Sequence, residues 1–203
     1  MRLRYIDLRR SAVVLLTMLA AGCASDEQIR DAITDVNREF QAAYERILVE
    51  KGSRTYRVAP KVAFAAMAIA LQRVGMHIDD QAPELGYLNV SAAAPAPLNS
   101  REWRRAASAD LPKLREIAMQ HVGPTGYFIS FEPEGLETVI NVIVLEVPAG
   151  TEISVTVRLR EVAPPKSGYP RREYLPPTAV RMGLDKIWDE LNRELRTARI
   201  INR

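Results

Sequence analysis

From residue 26 onward the hydrophobic positions fall into two periods, and the switches between them lay out the chain. Ile29, Ile33, Val36, Phe40, Ala43 and Ile47 recur at alternating spacings of four and three. That is a heptad seam on a helix from Asp26 to about Glu50, ended by Lys51-Gly52-Ser53. Arg54-Thr55-Tyr56-Arg57-Val58 then alternates as a strand does. Pro60 suits the first turn of a helix, where its missing N–H costs nothing. Ala63, Met67, Ala70, Leu71 and Val74 mark the buried side of that helix, and Gly75 stops it. Strands are predicted at Met76–Asp80 and Tyr87–Ser91, joined through Pro83-Glu84-Leu85-Gly86 as a hairpin.

Ala92 to Leu98 is Ala/Pro-rich and reads as an exposed loop. Asn99, with Glu102 three residues on, has the form of a capping box and opens a helical insert over 99–122. Pro112 is expected to break that insert, with Asp110 capping a second piece whose Leu111, Leu114, Ile117 and Ala118 turn inward. Tyr127-Phe128-Ile129-Ser130-Phe131 reads as a strand. Thr138–Val147 is apolar at both parities, as a central strand covered on both faces should be. Ile153, Val155, Val157 and Leu159 alternate with Ser154, Thr156, Arg158 and Arg160, giving a strand with one wet face. After a loop at 164–177, Val180, Leu184, Ile187, Trp188, Leu191 and Leu195 form one stripe of a last helix. The order implies an α+β fold: an antiparallel sheet of about five to six strands with helices packed on one face, helix-grip-like, preceded by an N-terminal helix. The insert, carrying Trp103, is expected to be a surface appendage.

The first 22 residues follow a different pattern. Arg2, Arg4, Arg9 and Arg10 precede an uncharged run from Ser11 to Ala21. A charged start, an apolar run of about a dozen residues and small residues at its end make a signal peptide; the run is too short for the ~20 residues that span a bilayer. Leu19-Ala20-Ala21-Gly22-Cys23 resembles the lipobox of bacterial lipoproteins, which implies that Cys23 becomes the acylated first residue. Ala24, where an Asp would favour inner-membrane retention, points by the same resemblance to the outer membrane, facing the periplasm. The expected organisation is a signal peptide over 1–22, an acylated terminus and helical spacer over 23–52, and an α+β domain over 53–203 able to fold without the helix.

Charge narrows the functional classes. The formal net charge is +3, but four of the 28 Lys/Arg and one of the 25 Asp/Glu precede Cys23, which leaves 24 of each. A neutral remainder carries no global field for nucleic acid. A single cysteine excludes an intramolecular disulfide. His77 and His121 have no sequence relation that makes a metal site with Asp79 or Asp80. Adjacent strand residues such as Asp79 and Asp80 face opposite ways, which opposes a shared acid–base pair. No nucleophile-elbow, dinucleotide or phosphate-loop motif is present. No catalytic residue, metal or cofactor is expected.

Helix-ending Leu71-Gln72-Arg73-Val74-Gly75, then Met76-His77-Ile78-Asp79-Asp80 and Gly86-Tyr87-Leu88-Asn89-Val90, resembles the small domain of the lipoprotein C subunit of the outer-membrane β-barrel assembly machinery. The resemblance spans some 35 residues and implies a helix-grip-like fold without catalytic groups. The expected function is a membrane-anchored, non-catalytic binding or assembly-accessory module. Alternatives are a carrier of lipid or a small ligand in a cavity between sheet and helices, and an unrecognised hydrolase. Lys166, Tyr169, Arg171, Arg172 and Tyr174 mix basic and aromatic side chains in the loop before the last helix and form the candidate partner-binding loop. Residues 29–47 are the candidate surface for self-association or an envelope protein partner.

Overall fold

The computed structural model describes residues 24–162, 168 and 170–201. Helix α1 spans Asp26–Lys51, strand β1 Ser53–Tyr56, helix α2 Pro60–Arg73, β2 His77–Ala82, β3 Tyr87–Ala93, helix α3 Ser100–Val122, β4 Leu136–Val147, β5 Gly150–Glu161 and helix α4 Pro177–Ile201. The strands form one antiparallel sheet in the order β1-β5-β4-β3-β2. The fold is α+β, with the N-terminal helix ahead of the sheet, as the periodicities predict. α2 and α4 cover one face, with Met67, Leu71, Leu184, Ile187, Trp188 and Leu191 fully buried against Leu88, Val90, Ile140, Val142, Ile153 and Val155.

The two glycines of the β-α-β-β stretch have separate local causes. Gly75 ends α2 at φ +90°. Gly86 sits at φ +65°, and a Cβ there would lie 2.0 Å from the Val144 carbonyl oxygen, so only glycine lets β3 begin this close to β4.

Covering the sheet's long edge requires α1. β1 pairs only with Thr151–Ser154, which leaves the rest of β5 without a strand neighbour on the side away from β4. Three other groups accept its N–H donors: the Gly52 carbonyl takes Val155 (2.8 Å), the Tyr44 hydroxyl takes Val157 (3.2 Å) and the Glu173 carbonyl takes Leu159 (3.2 Å). An open edge is a template for unwanted pairing, and these contacts close it. Tyr44 and Ile47 belong to the main core. The Trp188 indole N–H donates to the Lys51 carbonyl (2.8 Å), and Lys51 Nζ meets Asp185 (2.6 Å). The C-terminal half of α1 is therefore core, and the expectation that residues 53–203 stand apart from it is corrected.

The insert is corrected likewise. α3 runs unbroken through Pro112. Proline removes one helical bond and crowds the preceding turn, at about 3 kcal/mol. Both halves are held by packing that offsets it: Trp103 and Ala106 enter the core, while Leu114, Ile117 and Ala118 are buried further along. The Asn99–Glu102 capping box forms as predicted. Asp110 caps no second piece; it accepts from the Thr178 N–H and hydroxyl (both 2.8 Å) at the start of α4. Trp103 is 4% exposed, so the insert is not an appendage.

Three further expectations change. Tyr127–Phe131 is not a strand: Gly123–Phe128 is a 3₁₀ segment folded against the end of α3, where a Cβ on Gly126 would lie 2.6 Å from the Met119 nitrogen. Phe131 packs sideways on Phe40 and Trp103, with ring centroids 6.0 and 5.8 Å away. Ala92 and Leu98 are buried, so the Ala/Pro stretch is not a free loop. β4 is central but covered on one face only; Ile143 and Leu145 are exposed on the other, 37% and 52%.

Candidate functional site

The loop expected to bind a partner is described in part. Cys23, Lys166 and Tyr169 lie outside the described residues, as does the signal segment. Arg172 and Tyr174 stand between two concavities, one apolar and one basic, and Arg171 lines the basic one.

The apolar one is a groove of roughly 560 Å³ between α1 and α3. Its walls come from the first half of the heptad seam, Ile29, Ile33 and Val36, and from Leu114, Ala118 and Val122 of α3. Buried Ala32 and Ala118 floor it. Ile129 and Phe131 close it from the 3₁₀ side, and Arg172 and Tyr174 from the loop. A His121–Asp35 contact of 2.9 Å ties the two helices, and Arg38 holds Asp35 at 2.7 Å. Ala24, the first described residue, lines the groove. One seam thus does two jobs: Phe40 and Ile47 are buried within the domain, while Ile29, Ile33 and Val36 border an open groove.

The basic recess, roughly 410 Å³, lies on the uncovered face of the sheet between β4, β5 and the loop. Arg158, Arg160, Arg171 and Arg172 line it with Glu161, Glu173, Val139 and Asn141. Arg160 pairs with Glu137 and Arg172 with Glu161. Among the described residues, Arg158 and Arg171 are exposed and make no carboxylate ion pair. Beside the recess the open face carries a polar ladder: Asn89 Nδ2 donates to Asn141 Oδ1 (2.7 Å), as does the Tyr87 hydroxyl (3.3 Å).

Tyr44 links wall and core. Its ring lies 5.6 Å from that of Tyr174. Burial pushes its hydroxyl above the ordinary value of 10.0, against the lowering effects of the Val157 N–H and the Arg158 charge. It stays a neutral acceptor for the β5 edge at any physiological pH.

His77 lies on β2 and His121 faces Asp35, so the structure does not bring the histidines together. Among the described residues, no group of three or more His, Cys, Asp or Glu is arranged to hold a metal ion. No helix among them is long and apolar enough to cross a membrane. The space between sheet and helices, where a ligand cavity was one expectation, is filled by the core residues above. Sequence reasoning missed the groove. Its signal was present in the seam and in Leu114 and Ala118, but nothing local paired the two helices. Comparison with family models, curated proteins and solved structures finds no match to this chain.

Proposed function

We propose that this chain is an envelope lipoprotein anchored through acylated Cys23 and acting as a non-catalytic binding or assembly-accessory module. Its docking surface is the basic recess together with the adjoining open sheet face, and its partner is an acidic protein segment. The observation that carries this reading is the pair of exposed arginines without a carboxylate partner, Arg158 on β5 and Arg171 on the loop, lining one recess with Val139 at a sheet face that no helix covers. Carboxylates meeting such forks form short, charge-assisted bonds, and the apolar row Val139, Ile143 and Leu145 adds desolvated contact area. The resemblance of residues 56–90 to the assembly-machinery lipoprotein supports an accessory role in the same compartment.

The test is capture from detergent-solubilised envelope using the full chain and the double variant Arg158→Glu, Arg171→Glu. A partner held at low salt, released at high salt and lost with the double variant agrees with the proposal. A partner retained equally by both forms contradicts it. A second reading, a lipid-binding module, is favoured by the apolar groove.

A further inference from the structure

We infer that the apolar groove is the seat of the acyl chain carried by Cys23, so that the protein's first ligand is its own lipid; this rests on the reading of Cys23 as the acylated residue. Position is the first argument. Ala24 lines the groove and Cys23 directly precedes it in the sequence, so a chain attached there is tethered one residue from the lining.

The chemistry of the lining is the second. Five polar side chains border the groove, and four of them already make hydrogen bonds. The Asn37 amide donates to the Arg171 carbonyl (2.8 Å), the Thr125 hydroxyl to the Val122 carbonyl (2.7 Å), the Ser130 hydroxyl to Glu132 (2.8 Å) and Arg172 Nε to Glu161 (2.7 Å). An extended peptide brings an N–H and a C=O per residue and would find few partners for them on so apolar a lining. A hydrocarbon chain requires none. The volume of roughly 560 Å³ lies in the range of small-ligand sites, ~300–1,000 Å³.

Tethering decides the source. A chain fixed one residue away competes as an intramolecular ligand, at an effective concentration that free lipid does not match. A seated chain is also withdrawn from the bilayer, and the hold on a membrane weakens with each chain withdrawn. Occupancy of the groove therefore sets how firmly the protein is anchored.

The test uses the full chain made in bacterial cells fed a fatty acid bearing a photoactivatable diazirine. After irradiation, the mature protein is digested and the cross-linked peptides are sequenced by mass spectrometry. The expected result is acyl-to-peptide cross-links within one molecule, at residues 29–37 of α1 and 114–122 of α3. Ile33→Glu should cut them about tenfold with the far-UV circular dichroism unchanged, and Ile33→Leu should keep them. Cross-links only to bulk lipid, to another protein, or between isotopically light and heavy copies would overturn the inference while acylation stands. An unmodified Cys23 in the intact mass would overturn both.

Discussion

Replacing Trp103 by alanine tests whether α3 belongs to the core. The indole is 4% exposed and lies 5.8 Å from the Phe131 ring, which in turn lies 6.0 Å from Phe40. Truncating a buried Trp costs about 3–5 kcal/mol, and losing an aromatic neighbour removes a further ~0.5–1.5 kcal/mol. Against a total of ~5–15 kcal/mol, that is a large fraction of the stability. Trp188→Ala should cost at least as much: Trp188 is fully buried and its N–H holds the Lys51 carbonyl at the end of α1. Urea denaturation of the two single variants, read by circular dichroism, gives both values. Trp188→Phe, which keeps an aromatic ring but loses the N–H and part of the buried volume, should cost less than Trp188→Ala. If Trp103→Ala costs under ~1 kcal/mol, a value typical of surface positions, α3 is an appendage and the packing described here is wrong.

Removing residues 1–52 should leave a chain that melts without cooperativity and binds hydrophobic dye, because Tyr44 and Ile47 leave the core and part of the β5 edge opens; a sharp thermal transition would contradict this. Gly86→Ala should destabilise by more than the ~1–2 kcal/mol of left-handed strain alone, since its Cβ meets the Val144 carbonyl; unchanged thermal stability would refute the close approach. Glu102 is held below its ordinary value of 4.5, first by Lys186 and then by the Asn99 N–H. Its depressed folded-state pKa contributes stability that is fully present above 4.5 and is lost as pH falls through the folded value. Glu102→Gln should therefore flatten the acid limb of stability against pH, and an identical limb in both proteins would remove the ion pair from the account.

Much of the fold was legible because single faces were strongly marked. The stripe Val180–Leu195, the alternation Ile153–Leu159 and the Asn99–Glu102 box each have one physical reading, and each forms. The failures share a cause: the competing information was tertiary. Pro112 should break an isolated helix, but packing on both sides of it outweighs one lost bond. Tyr127–Phe131 has strand composition, yet Gly126 lets the backbone fold onto α3 and Phe131 is used for lateral packing. The β4 residues Val139, Ile143 and Leu145 are as apolar as their neighbours, and nothing in the strand itself says that no layer covers them. The loop 166–174 stood out by composition, but the place of its residues Arg172 and Tyr174 between an apolar groove and a basic recess required α1 and β5 to be placed first.

The proposed anchor, the groove's ligand and the compartment all depend on acylation of Cys23. The most direct measurement is the intact mass of the mature protein purified from bacterial membranes, alongside Cys23→Ser. The expected result is a chain beginning at Cys23, heavier than its sequence by acyl groups and partitioning into detergent, with the variant unprocessed or soluble. A wild-type chain with an unmodified Cys23, and a membrane partition equal to that of the variant, would contradict it.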